Sequence, residues 1–253
     1  MTKLLWSAYA RFYDRIAGLS PYREMLGEVM AAIDPKPGMR VLDAGCGTGE
    51  LGERLAAACP EVEYLGVDLS APMLARARSR RTWPGSFRFV EGDLNDLLAE
   101  STGIFDCVAS VNVLWTLPDP AKTLSRMTAA LQPGGRMVHT TPRFAFRAHA
   151  IVWRHLRSLG GWRLVRALLE LPILLVAGGL NLLLVLVTAA RARGPKADRR
   201  WHADGLVALL RAAGVETRQA RSCYAGQGHL VVAELPQAPH APGNPLPGPG
   251  GRL

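Results

Sequence analysis

The stretch that most constrains what this chain can fold into is Val41-Leu42-Asp43-Ala44-Gly45-Cys46-Gly47-Thr48-Gly49. Val41 and Leu42 read as a buried strand, and Leu51, Leu55 and Ala58 then recur at helical spacing over residues 50–59. Strand, tight turn and helix follow one another. Glycine at every second position of the turn removes the Cβ atoms that would hold a ligand off the backbone, and it permits positive φ angles. A small molecule is therefore expected to lie against this turn.

Two ligand chemistries compete for it. Read from Gly47, the segment Gly47-Thr48-Gly49-Glu50-Leu51-Gly52 fits a dinucleotide fingerprint with Asp68 as the ribose acid, which makes a nicotinamide oxidoreductase the alternative. Asp43 opposes that reading, because a carboxylate just ahead of the turn repels a pyrophosphate. A ligand carrying an ammonium and a sulfonium is attracted by the same charge. The pattern Asp43-x-Gly45-x-Gly47-x-Gly49, with Asp68 ending the next strand, closely resembles the cofactor motif of class I S-adenosylmethionine-dependent methyltransferases. The resemblance implies a Rossmann-like α/β fold, with a seven-stranded, mostly parallel sheet and helices on both faces. It also implies S-adenosylmethionine as cofactor, held by Asp43, Gly45, Cys46, Gly47 and Gly49.

The remaining cofactor contacts are expected further along the chain. Residues 62–67 form a strand that delivers Asp68 and Leu69, and the Asp68 carboxylate suits both ribose hydroxyls. Ser70 caps the next helix, with Met73 as an apolar wall for adenine. Residues 87–90 are a third strand ending at Asp93 and Leu94, where the family commonly has an aspartate for the adenine amine. Residues 105–114 are a fourth strand, apolar enough to be buried on both faces, so Val111 and Asn112 at its end should border the methyl group. Relatives often have histidine at the position of Trp115, so an aromatic wall is expected here instead of a histidine base. Leu131-Gln132-Pro133-Gly134-Gly135 before a fifth strand over 136–140 is a further family hallmark.

The ends of the chain frame this core. Residues 4–19 place Leu5, Tyr9, Phe12, Tyr13 and Ile16 on one helical side, and a similar segment covers the cofactor in many methyltransferases. Residues 1–34 are thus read as a helical lid, with Tyr9 and Tyr13 over the site. Residues 35–142 and 203–235 form the core, closed by a helix over 203–213 and an antiparallel pair of strands over 215–221 and 229–235. Residues 236–253 hold six prolines and four glycines and read as a disordered tail. Cys46, Cys59, Cys107 and Cys223 lack metal-ligand spacing, which points to a reducing compartment without zinc or disulfides. No leader is expected at residues 1–10, where the apolar patch is too short.

The net charge of +9 is concentrated. Between Arg143 and Arg200 there are eleven basic residues against Glu170 and Asp198, and the rest of the chain is neutral. These cations flank residues 171–190, twenty positions without a charge, long enough to cross a bilayer core of about 30 Å. Pro172, Gly178, Gly179 and Asn181 interrupt the run, and a single span would strand the last strands on the far side. Residues 143–202 are accordingly read as a monotopic hairpin on an anionic membrane, at its cytoplasmic side, rather than as a nucleic-acid surface. Arg154, Arg157, Arg163 and Arg166 sit at headgroups, Trp153 and Trp162 at the boundary, and Leu174, Leu183 and Leu186 in the apolar layer. The competing reading is a helix buried between subunits of a homo-oligomer, around a soluble acceptor.

Methyl transfer from a sulfonium is an in-line displacement, so positioning in a dry pocket is the main demand on the protein. Tyr13, Asp14 and His139 are the candidate proton acceptors near the mouth, and His139, lying within the fifth strand, reads in the first place as a satisfied core histidine. The apolar insertion implies a lipophilic acceptor, either a phospholipid headgroup amine, which the arginines favour, or a quinone or isoprenoid ring. A membrane-binding module without catalysis is the third class.

Overall fold

A computed structural model describes residues 10, 13–99, 101–143, 147–169, 179, 183 and 202–237. Its centre is a seven-stranded sheet of β1 (Arg40–Ala44), β2 (Glu63–Asp68), β3 (Phe87–Glu91), β4 (Phe105–Val111), β5 (Leu131–Pro142), β6 (Glu216–Cys223) and β7 (Gly228–Glu234). The strand order is β3-β2-β1-β4-β5-β7-β6, with β7 antiparallel to both its neighbours and the other pairs parallel. From β1 the chain first builds outward to β2 and β3, and then returns to lay β4 on the other side. That reversal opens a crevice at the carboxyl ends of β1 and β4, where ligands of open α/β sheets bind. The expected seven-stranded, mostly parallel sheet and its antiparallel closing pair are both present.

Helices cover the two faces as the alternation of the strands dictates. On one face, Val41, Tyr64, Cys107, Ala109 and Val138 pack against α1 (Ser20–Ile33) and α2 (Glu50–Ala58). On the other, Leu42, Ala44, Val108 and Met137 pack against α5 (Pro120–Ala130) and α8 (Ala203–Ala212). Between these lie α3 (Ala71–Ser79), the short α4 (Leu94–Leu97), α6 (Ala148–Ser158) and α7 (Trp162–Leu169). Side chains start three of the helices: Ser70 accepts from the Met73 amide, Asp93 from that of Asn95 and Asp119 from that of Lys122.

The basic stretch after β5 is tied down at its start. Ile151 of α6 is buried with the α1 side of the core, His155 and Ser158 hydrogen-bond Ser20, and Arg154 pairs with Glu24 at 2.8 Å. The outer faces of α6 and α7 stay in water, with Trp153 59%, Trp162 87% and Leu169 75% exposed. Arg157 lies over the Trp153 ring. Among the described residues no helix is long and apolar enough to cross a membrane. Residues 171–190 lie outside the description except 179 and 183, so Leu174 and Leu186 lie outside it too. Leu183 is exposed, and of Arg163 and Arg166 only the helical backbone is described. Most of the tail over 236–253 and Tyr9 also fall outside.

Candidate active site

The glycine turn runs from the end of β1 into α2. Gly45, Gly47 and Gly49 have φ of +82°, +55° and +83°, the left-handed region their sequence spacing anticipated. The Gly45 and Cys46 amides donate to the Val67 carbonyl, pinning the turn to β2. Asp68 braces it from the same side, one oxygen accepting from the Gly47 amide and the other from the Ser70 amide, each at 2.9 Å. The Leu69 amide adds a third donor, so of a carboxylate's roughly four acceptor sites one stays for a further donor. A Cβ at Gly47 would meet nothing within 4 Å, whereas one at Gly45 would lie 2.4 Å from a methyl of Val113. Gly47 is therefore the open face of the turn and Gly45 the packed one.

Asp43 points from β1 toward α1 and is 2% exposed. The Tyr64 hydroxyl donates to it at 2.7 Å. Burial pushes its carboxyl up to about 7, the Tyr64 bond opposing and the nearby Asp68 charge adding. The crevice beside it is lined by Tyr13, Tyr22, Leu26, Gly45, Cys46, Glu50, Leu51 and Val111. Two carboxylates meet there, Asp43 and Glu50, and Glu50 is paired with the Arg80 guanidinium at 2.7 Å. The Tyr13 and Tyr22 hydroxyls are 2.8 Å apart, and Tyr22 also meets Tyr224 edge to face. Burial raises the Tyr13 phenol, so Tyr13 is a hydrogen-bond donor and not a base at neutral pH. The space left between these side chains measures about 10 Å³, room for one water molecule.

Val111 reaches this lining, and Asn112 follows it with φ +57°. The Asn112 amide donates to the carbonyl and hydroxyl oxygens of Thr140, and the Thr140 hydroxyl donates back to the Asn112 side chain. This locks the end of β4 to β5. Other expected contacts divide. Leu69 is half exposed beside Asp68, and Asp93 spends one oxygen on the Asn95 amide and side chain. Leu94 is buried in the α5 side of the core.

Three further candidate site residues are buried in this structure. Met73 is 2% exposed because the Ser70 cap turns it inward, so it offers adenine no surface here. Trp115 is buried in a 3-10 turn, Leu114–Thr116, instead of walling the crevice. His139 is fully buried on β5 beside Ser110 of β4, and neither ring nitrogen has a hydrogen bond among the described residues. It is a core histidine without the partners expected of one, not a base at the mouth. Burial lowers it from 6.5 to about 4. Between those values the unfolded chain takes a proton that the folded one refuses, so stability falls as pH drops from 7 to 4, by about 3 kcal/mol. His139→Leu should remove that slope in urea titrations at stepped pH. An unchanged slope would mean the histidine is solvated.

Sequence reasoning missed Tyr22, Leu26 as a lining residue, Tyr64, Val113 and Arg80. A family model described as a methyltransferase domain matches residues 35–161, half of the chain, from the approach to β1 through α6. The chain belongs to this methyltransferase-domain family. Within it, the chain is 37% identical over 134 residues to a trans-aconitate 2-methyltransferase of Deinococcus radiodurans, covering 53% of this chain and 47% of that one. It is 32% identical over 143 residues to a ubiquinone biosynthesis O-methyltransferase of Aromatoleum aromaticum, covering 55% and 60%. The matches thus span about half the length of these curated relatives. The N-methyltransferase NodS of Bradyrhizobium japonicum, solved with S-adenosyl-L-homocysteine, shares the fold at a TM-score of 0.57 and 17% identity, over 88% of this chain and 91% of its own. The methyltransferase domain therefore places its glycine turn, Asp43 and Val111 at the topological switch point of the sheet.

Proposed function

We propose that this chain is an S-adenosylmethionine-dependent methyltransferase whose acceptor is lipophilic and is met at an anionic membrane surface, on its cytoplasmic side. The observation that carries the reading is the lining of the crevice: the buried Asp43 carboxylate, which no cation among the described residues neutralises, with Tyr13, Tyr22, Leu26 and Val111 beside it. A dinucleotide pyrophosphate finds no counter-charge there. An acceptor that is itself a carboxylate, such as the trans-aconitate of the Deinococcus relative's name, finds none either.

The same lining fits a cationic cofactor. Asp43 offers an acceptor for an ammonium group, the open face of Gly47 admits a chain lying on the backbone, and Asp68 keeps an acceptor site for a hydroxyl. When bound, the cofactor supplies a methyl group already activated on sulfur. What the chain contributes is placement and exclusion of water: Tyr13 and Tyr22 close one side, and Val111 with the locked Asn112 borders the other. With Tyr13 held protonated and His139 enclosed, the acceptor's own acidity, as in a ring hydroxyl, suits this crevice. The ubiquinone O-methyltransferase relative supports the same acceptor class. A headgroup amine is the second reading, favoured by the exposed Arg157 and its neighbours on α6. The exposed Trp153, Trp162 and Leu169 beside those arginines support docking on an anionic bilayer.

Labelled S-adenosylmethionine and a total membrane lipid extract test this reading. Label is expected in a lipid whose mobility is that of a quinone or isoprenoid ring compound, dependent on Asp68. Label in an aminophospholipid would select the second reading. Label only in a water-soluble acceptor would overturn both and make the apolar surface an oligomer contact.

A further inference from the structure

Arg80, just beyond α3, touches three separate elements of the crevice. Its guanidinium pairs with Glu50 at 2.7 Å and Glu53 at 3.0 Å on α2, and donates to the carbonyl and hydroxyl of Thr48 in the glycine turn at 2.8 and 3.0 Å. It also pairs with Asp14 at 2.8 Å, and Arg76 reaches the other Asp14 oxygen at 3.2 Å. Asp14 follows Tyr13, whose ring lines the crevice and whose hydroxyl meets Tyr22.

These contacts have a mechanical consequence. The described lining leaves about 10 Å³ between its side chains, so an amino acid headgroup seated among them displaces the Tyr13 ring that borders this space. Tyr13 and Asp14 are consecutive, so displacing the ring pulls on the ion pair. On release of Asp14, Arg80 remains held by Glu50, Glu53 and Thr48, so its side of the contact stays formed and ready to recapture the segment. We propose that Arg80 is a latch that ties the Tyr13–Asp14 segment to the glycine turn, making the opening of the crevice and the breaking of the Asp14–Arg80 pair a single event. Arg80 is then a positioning residue, acting through Tyr13 and Thr48 on whatever the crevice holds. The ligand's identity rests on the cofactor reading above; the latch itself does not.

The test uses the full chain and Asp14→Asn, a change at a partly exposed side chain that removes the charge and keeps the shape. In the free protein, hydrogen exchange at the Gly18 and Leu19 amides, which bond the Asp14 and Ile16 carbonyls, should accelerate about fivefold without a change in melting temperature beyond about 2 °C. Dissociation of S-adenosylhomocysteine in stopped flow should accelerate about five- to tenfold, and Asp14→Glu should recover most of both effects. Unchanged exchange and unchanged dissociation would overturn the latch, as would a lower melting temperature with neither local effect. If the wild type fails to bind S-adenosylhomocysteine, the cofactor reading falls while the exchange measurement still decides the latch.

Discussion

Asp43→Asn is expected to lower S-adenosylmethionine affinity about 100-fold while making the free protein more stable. The opposite signs have one cause. Burial holds the carboxyl at about 7 in the fold against an ordinary value of 3.8. Between those values the folded chain keeps a proton that the unfolded chain has lost, so the residue costs stability progressively as pH rises from 4 to 7. Above 7 the full cost, about 4 kcal/mol, is in place, and asparagine of the same shape does not carry it. Tyr64 can donate to an amide oxygen as it does to the carboxylate, so the local packing survives. The lost affinity is that of a buried charge pair with an ammonium group, about 2–3 kcal/mol. Equilibrium dialysis at pH 8 and urea unfolding at pH 8 and pH 4 measure the two halves. A variant that is less stable at pH 8 would show that Asp43 is ionised and satisfied without a ligand.

Two alanine substitutions in the turn should separate folding from binding. At Gly45 the new Cβ lies 2.4 Å from a methyl of Val113, and φ is +82°. Val113 is β-branched and cannot swing away, so strain and overpacking together should cost about 3 kcal/mol. At Gly47 the Cβ meets nothing and φ is +55°, the ordinary left-handed value, so the cost to the fold should be about 1 kcal/mol. That methyl stands on the open face of the turn, where a ligand on the backbone must lie. Gly47→Ala should therefore weaken S-adenosylmethionine binding at least tenfold in a protein that unfolds almost normally. Equal stabilities for the two variants, or intact binding by Gly47→Ala, would place the ligand elsewhere.

The turn, Asp43 and Asp68 were legible because their geometry is local: strand, glycine spacing and helix lie within a few residues of one another. The side chains that complete the crevice were not, because tertiary packing delivers them. Tyr64 looks like an ordinary strand hydrophobe, and only the parallel register that sets Asp43 against Gly66 brings its hydroxyl to Asp43. Arg80 reads as one of several cations after a helix, yet it gathers three carboxylates from two other segments. Met73 and Trp115 erred the other way. Met73 lies in the helix capped by Ser70 and Trp115 in a 3-10 turn, and both side chains are buried in the core. The helical spacing of Tyr22 and Leu26 among the apolar residues of α1 does not by itself reveal that both face a ligand crevice.

The most direct test of a crevice built for a sulfonium cofactor is calorimetric titration of the wild type at pH 6.5 with S-adenosylmethionine, in two buffers of different ionisation enthalpy. With Asp43 mostly protonated at that pH, binding should release about three-quarters of a proton, and the release should vanish in Asp43→Asn. NADH should give no heat. Binding of NADH with none of S-adenosylmethionine would contradict the assignment of Asp43 and the turn to a cationic ligand.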